Sequence, residues 1–402
     1  PGVYSIYPTP VPGTYGNQDG TSYANAWNGL NEIVWGENGV EAGDNLYVCG
    51  YHTFNTATTA EYITSSGSSE DCPITIRMDY PGDTGTLYVA DGELLLKLGR
   101  SKYIKFYKGN FNGAVVKPDR IGDAVSDTSV STYIIFDSCT FTYYGVYYLY
   151  AGHDHWTFRN NDFSYGRCGI YTISADTMLA ALAAGLEWNE GWGASYLLIE
   201  NNTFKHIGVP GFYHGDGHAI GIQGGRGHII QGNYIEDTGE AIAFHTENYQ
   251  MKDMTVRYNF IKNINVQRNE GVVGTGGNGI NVSGSADSPL GQRTGFKIYG
   301  NIILNVGIGA TEVWQGRGIS SSTKDPIEIY NNVIVNPSGT GIRIAVMDAP
   351  AQGTVYNNII VNPGNRYILT AGAPGDWSNF YCDYNLYSPA TEFIEFTDFV
   401  LP

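Results

Sequence analysis

Two short stretches of the 402-residue sequence carry side chains that could move protons. HGDGHAIGIQGG runs from His214 to Gly225, and DTGEAIAFHTE runs from Asp237 to Glu247. Between them they hold Asp216, His218, Glu240, His245 and Glu247. Carboxylates and imidazoles are the commonest general acids and bases, so these five are the catalytic candidates. Other chemistries fit less well. No Gly-Lys-Ser/Thr follows the glycines and no helix is expected after them, which disfavours a phosphate loop. His214 and His218 lie four apart, but the glycine-rich sequence between them is not helical, so the spacing does not put both on one face to bind zinc. No serine sits in a G-x-S-x-G elbow.

The elements that would position these residues come from a repeat. TFRNNDF, LLIENNTF, HIIQGNYI, TVRYNFI, FKIYGNII, IEIYNNVI, TVYNNII and YCDYNLY each hold a short alternating run and then Asn. The Asn residues are Asn161, Asn202, Asn233, Asn259, Asn301, Asn332, Asn358 and Asn385, and Cys139 takes the same place one repeat earlier. Alternation over four to six residues means strands. A period of about 26–31 residues fits one coil of a parallel β-helix, three strands per turn stacked at roughly 4.8 Å. Asn suits such a turn because it tolerates left-handed backbone and can bond to its copies above and below.

A second column of small–Ile pairs opens the next strand: Gly169-Ile170, Ala219-Ile220, Ala241-Ile242, Gly279-Ile280, Gly318-Ile319 and Gly341-Ile342. With Ile inward, Ala219 falls beneath Ala241, Gly221 beneath Ala243, Gln223 beneath His245 and Gly225 beneath Glu247. The expectation is a flat outer floor of small residues, continued by Gly279, Asn281 and Ser283, by Gly318, Ser320 and Ser322, and by Gly341 and Arg343. Two long intervals predict insertions, at about 175–194 and 266–293. The first holds an Ala/Leu-rich stretch read as a short helix, followed by Trp188 and Trp192.

Composition narrows the partners. With 39 Asp+Glu against 22 Lys+Arg the formal charge is −17, which argues against nucleic acid. No apolar run is long enough to span a membrane. The 53 Gly point to many tight turns, and the 31 Tyr suit both strands and sugar-stacking surfaces. The five Cys leave at least one unpaired, and Cys49–Cys72 and Cys139–Cys168 are possible bridges beside the alternative of free thiols.

The opening DGTSYANAWNGLNEIVWGENGVEAGDNLYVCGYHTF resembles that of secreted bacterial proteins of the pectate-lyase-like superfamily. The resemblance implies an all-β, single-domain right-handed parallel β-helix over residues 1–402, with a short amphipathic helix at about 24–34 capping the open end of the core. It implies a carbohydrate polymer as partner and an extracellular location. The chain begins at Pro1, as a processed secreted protein does and as a trimmed chain would. Within this superfamily hydrolases, lyases, epimerases and binding proteins all occur, so the reaction has to come from the site.

Register places the Cα atoms of Asp216 and Glu240 roughly 8 Å apart, in the range for inverting glycoside hydrolysis, with a water between base and sugar. An extracellular glycoside hydrolase is therefore the leading expectation, with no cofactor. A polysaccharide lyase is the alternative: His218 or His245 would be the base, and Ca²⁺ held by acidic residues could assist. A non-catalytic carbohydrate-binding solenoid would explain the floor but not the acids and histidines. Gln223, Arg226, Asn281, Trp188, Trp192, Trp314, Arg317 and Arg343 are the candidate substrate-binding residues. Trp faces stack on sugar rings, and Arg pairs with acidic substituents or with protein carboxylates.

Overall fold

The short alternating runs become strands because every second side chain can be buried while its neighbours stay wet. A computed structural model of the chain describes residues 3–6, 16–54, 61–89, 94–98, 101–113, 115–116, 131–143, 146–149, 153–166, 168–172, 193–208, 217–245, 251–266, 276–283, 293–312, 315–323, 325–345, 352–371, 379–389 and 394–397. Among the described residues the strands form three long parallel sheets of 13, 12 and 12 strands, visited in turn by the chain. One coil runs through Leu198–Glu200, Thr203–Lys205 and His218–Ile222, one strand per sheet. The next runs through Ile229–Gln231, Tyr234–Glu236 and Glu240–His245. This is the parallel β-helix that the repeat predicts, and its sheets run from Val3–Ile6 to Ile394–Thr397.

The Asn column is a continuous internal ladder. Asn233 donates from Nδ2 to Asn259 Oδ1 at 2.9 Å and to the Ile199 carbonyl at 2.9 Å. Its Oδ1 accepts from both the backbone N–H and the Nδ2 of Asn202, each at 3.0 Å. The same pattern links Asn161 through to Asn385, and the Cys139 backbone N–H caps it by donating to Asn161 at 2.8 Å. Every polar atom of these buried amides is used, which a buried amide requires. The left-handed backbone expected of these residues falls instead on the one before each: Asn160, Asn201, Tyr258, Asn331, Asn357 and Tyr384 all have φ of 54–57°, with Gly232 and Gly300 in the other two places. That residue turns the corner, so the ladder Asn can point inward.

Inside, the rungs stack like on like. In the first half Phe111, Phe141, Phe163 and Phe204 lie face to face at 4.6–4.8 Å between ring centroids. On the third sheet Ile170, Ile220, Ile242, Ile280, Ile319, Ile342 and Ile368 stand in register from one rung to the next. Each buried Ile contributes about 1.5–3 kcal/mol.

Two expectations change. The capping segment forms two single 3-10 turns, Tyr23–Asn25 and Leu30–Glu32, where an amphipathic helix was expected. Leu30, Ile33 and Trp35 still pack against the core. The span 266–293 is not one insertion: Ile280–Ser283 inside it is a strand of the third sheet, paired on both sides. The sequence leaves the coil twice there, on either side of that strand, which is the one the Gly279-Ile280 pair marks. Of the other insertion, residues 173–192 lie outside the described residues. Cys72 and Cys139 are free thiols, the alternative to the Cys49–Cys72 and Cys139–Cys168 bridges; Cys139 is buried, and burial pushes its thiol up to about 12.

Candidate active site

The small residue of each small–Ile pair sets the site, but by facing inward. A Cβ on Gly169 would meet the Phe204 ring, on Gly279 Ile303, on Gly318 Ile334 and on Gly341 Ile360, all core side chains. The chain turns a corner there, so the small residue and the Ile after it both point into the core. This corrects the outer floor: Ala219, Ala241, Gly279, Gly318 and Gly341 are not part of it. It also reverses the alternation just ahead of each pair. His218, Glu240, Asn278 and Arg317 therefore come out on the same side as Gly221, Ala243, Asn281 and Ser320. Two contacts show this directly. The His218 Cδ2 lies 3.4 Å from where a Gly221 Cβ would stand, and Arg317 Nη1 donates to Ser320 Oγ at 3.4 Å.

On these rungs His218 pairs with Glu240 in register, as expected. Its Nδ1 lies 3.2 Å from Glu240 Oε2, an ion-pair distance. Its Nε2 is 2.9 Å from the Nε2 of His245. Asn278 Nδ2 donates to the other Glu240 oxygen at 3.0 Å, while Asn278 Oδ1 accepts the Arg317 backbone N–H at 3.0 Å. Glu240 is 2% exposed and His218 fully buried, whereas His245 is half-buried. Burial pushes the Glu240 carboxyl up. The hydrogen bond and charge of His218, the Asn278 amide and the charge of His245 outweigh it and hold the group below its ordinary value.

Glu240 is thus held towards its ionised form with both oxygens engaged, which disagrees with a carboxyl acting directly on substrate. A carboxylate there calls for a proton on His218 Nδ1. In the form of the imidazole pair that has given up its extra proton, His218 Nε2 accepts from His245 Nε2–H and the outer nitrogen of His245, Nδ1, carries the lone pair. The arrangement is a carboxylate–imidazole–imidazole chain whose last member is half-buried.

Rings fill the place of the expected open floor. Gly221 and Ala243 are buried. The Tyr171 ring lies where a Gly221 side chain would be, and its centroid is 6.2 Å from that of His218 and 6.3 Å from that of His245. Gln223 Nε2 donates to the Tyr171 hydroxyl at 2.8 Å. Glycine at 221 is what admits these rings. Tyr171 and Asn278 are the two members that sequence reasoning missed. Both were within reach: Tyr171 follows Gly169-Ile170 in the Gly221 column, and Asn278 precedes Gly279 in the His218 column.

Further along the same face stand Asn281, Ser320 and Arg343, in register with Ala243. Arg226 goes elsewhere. It belongs to a separate strand, Gly225–Arg226, with its guanidinium 5.2 Å from the Tyr196 ring centroid. Gly225 pairs with Met251, not with Glu247, because the small three-stranded sheet there has its own register. Asp216, Glu247, Trp188, Trp192 and Trp314 lie outside the described residues, as does His214. Among the described residues no group of three or more His, Cys, Asp or Glu is arranged to hold a metal ion.

Fold and site together define a parallel β-helix with a carboxylate–imidazole cluster on the outer face of one sheet. The chain belongs to the family described as right handed beta helix region, which matches residues 129–375. Among solved structures it is similar to a GH136 lacto-N-biosidase from Eubacterium ramulus, at 12% identity and a TM-score of 0.55, over 96% of this chain and 67% of that one. It is also similar to a tailspike protein mutant of E. coli bacteriophage HK620 in complex with pentasaccharide, at 12% identity and a TM-score of 0.52, over 88% of this chain and 60% of that one. A pectate lyase, Pel9A, aligns over 96% of this chain and 79% of that one at 12% identity and a TM-score of 0.45. Identities this low speak to the fold alone. No curated protein matches the sequence.

Proposed function

We propose that the protein is an enzyme that cleaves a carbohydrate polymer by β-elimination, with His245 as the base. The observation that carries this is the geometry: a buried Glu240 3.2 Å from His218, and His218 in contact at 2.9 Å with the half-buried His245. A lyase base removes the proton α to a sugar carboxylate. The electron pair becomes a carbon–carbon double bond, and the glycosidic oxygen leaves and is protonated. A carboxylate-anchored imidazole suits that abstraction, because Glu240 stabilises the imidazolium formed and fixes the tautomer. Asn278 holds Glu240 in place, and Gln223 and Tyr171 wall the rings.

Glycoside hydrolysis by two carboxyl groups needs a carboxylic acid facing the sugar, and Glu240 does not supply one. That reading stands on Asp216 and Glu247 alone. The solved neighbours whose names give an activity or a bound sugar support carbohydrate as the partner in either case. The test is a panel of plant, algal and microbial polysaccharides with mass analysis of products. Ultraviolet-absorbing unsaturated ends, abolished in His245→Gln, are the expected result. Saturated reducing ends would overturn elimination in favour of hydrolysis, and retention of polymers without turnover would leave a binding solenoid.

A further inference from the structure

We propose that Arg317 and Arg343 form an anion subsite that holds an acidic substituent, carboxylate or sulfate ester, on a sugar displaced along the chain from the bond that breaks. The proposal deepens the reading above and rests on it for the identity of the ligand as a carbohydrate. Arg317 and Arg343 stand on neighbouring rungs: Ser320, which Arg317 Nη1 touches at 3.4 Å, pairs in register with Arg343. Both guanidinium groups are half-buried on the face that carries His218 and Glu240. Among the described residues neither has an ion pair with a carboxylate. Arg343 makes no hydrogen bond there, and the buried Arg317 Nε has no acceptor.

That arrangement is unfavourable for the protein alone. Two cations share a partly dehydrated site in a chain that carries 39 acids and 22 bases, so protein carboxylates to neutralise them are abundant. Burial and the nearby Arg343 charge push the Arg317 guanidinium down to about 9, against the pull of Glu240. Burial pushes Arg343 down as well. An incoming anion would relieve both, supplying the acceptors and the negative charge that the fold leaves out. Guanidinium forks match carboxylate and sulfate oxygens two at a time.

The position selects which sugar is read. From the rung of Glu240 and His245 the sheet passes the Asn281 rung, then the Ser320 rung, then Arg343. Arg317, on the Ser320 rung, and Arg343 are thus two and three rungs away, about 10 and 14 Å. The acidic group held there belongs to a neighbouring residue of the polymer, not to the sugar that loses its proton. Asn281, half-buried between the two centres, is placed to meet the sugar in between.

The test is binding, separate from turnover. Retardation of the full chain in gels would be measured with polygalacturonate, alginate and hyaluronate as carboxylate probes, with dextran sulfate as the sulfate probe, and with neutral dextran as the blank. The expected result is retention by at least one acidic polymer and none by dextran. Arg317→Gln and Arg343→Gln should each weaken that retention by about tenfold or more. Arg226→Gln, with its guanidinium over Tyr196, should bind like the parent. Neither subsite variant should lose thermal stability, since each removes an uncompensated cation, whereas a structural arginine would. Stronger retention by the carboxylate or the sulfate probe assigns the substituent. Equal binding by parent and subsite variants, retention by dextran, or an equal loss in Arg226→Gln would overturn the proposal. His245→Gln should stop turnover and keep acidic-polymer binding, so failure of the reaction assignment shows up apart from failure of the subsite.

Discussion

The Glu240→Gln substitution changes one atom type and should dismantle the base. Asn278 cannot rotate its amide to suit the new side chain, because its Oδ1 is held by the Arg317 backbone N–H at 3.0 Å. Its Nδ2 therefore still points at position 240, and the oxygen of the introduced amide must take that bond. The NH₂ of that amide then faces His218 Nδ1, which has to offer a lone pair. The His218 proton moves to Nε2, His245 Nε2 becomes the acceptor across the 2.9 Å contact, and the His245 proton moves to its outer nitrogen. The group that should take a proton now offers one. Losing the carboxylate also removes one charge-assisted interaction with an imidazole, worth about 1.5–3 kcal/mol. Together with the tautomer reversal this should cost about 3–4 kcal/mol of transition-state stabilisation, or about 10²–10³-fold in kcat. Turnover on the polysaccharide that the parent cleaves is the first assay. Nitrogen NMR of ¹⁵N-histidine-labelled protein reads the tautomers of His218 and His245 directly. A folded Glu240→Gln protein with parental kcat and unchanged tautomers would refute the carboxylate–imidazole–imidazole chain as the source of the base.

Three further outcomes follow from the same geometry. Asn233→Ala leaves the Asn202 donors and the Ile199 carbonyl without their partner, so it should destabilise by about 3 kcal/mol or more in denaturant unfolding; a loss under 0.5 kcal/mol, roughly the scale of an ordinary surface change, would mean that the ladder is ornamental. Gly318→Val puts a Cβ 2.5 Å from Ile334 Cγ2 and 2.6 Å from the Gly341 carbonyl, so it should cost about 1–3 kcal/mol, where an outward-facing floor would tolerate it. Glu240 has a depressed carboxyl, so its contribution to stability is present above the ordinary value of 4.5 and is lost as pH falls through the lower folded-state value; melting temperature should drop on acidification in the parent and more shallowly in Glu240→Gln, and parallel curves would remove the ion pair from the account.

Much of the fold was legible because a solenoid repeats its local rules. The Asn column, the Ile column and the pairing of His218 with Glu240 all followed from counting residues, since parallel strands in register turn sequence offsets into neighbours in space. The strand Ile280–Ser283 was legible from the Gly279-Ile280 pair, but the Gly- and Ser-rich composition around it set the bounds of one insertion across it, where the chain leaves the coil on both sides of the strand. The capping segment carried the right apolar residues but too little length and periodicity to fix a helix against the pull of packing onto the open end.

The sequence by itself determined the parallel β-helix and the rungs on which acids, imidazoles and arginines meet. Only the tertiary structure decided which way those side chains point. The corner at each small–Ile pair reverses the alternation, and no period-two count can see a reversal caused by two successive residues turning inward against Phe204, Ile303, Ile334 and Ile360. That single bend puts His218 and Glu240 on the outer face beside His245, buries Glu240 beneath its neighbours, and leaves Arg317 and Arg343 together without an ion pair among the described residues.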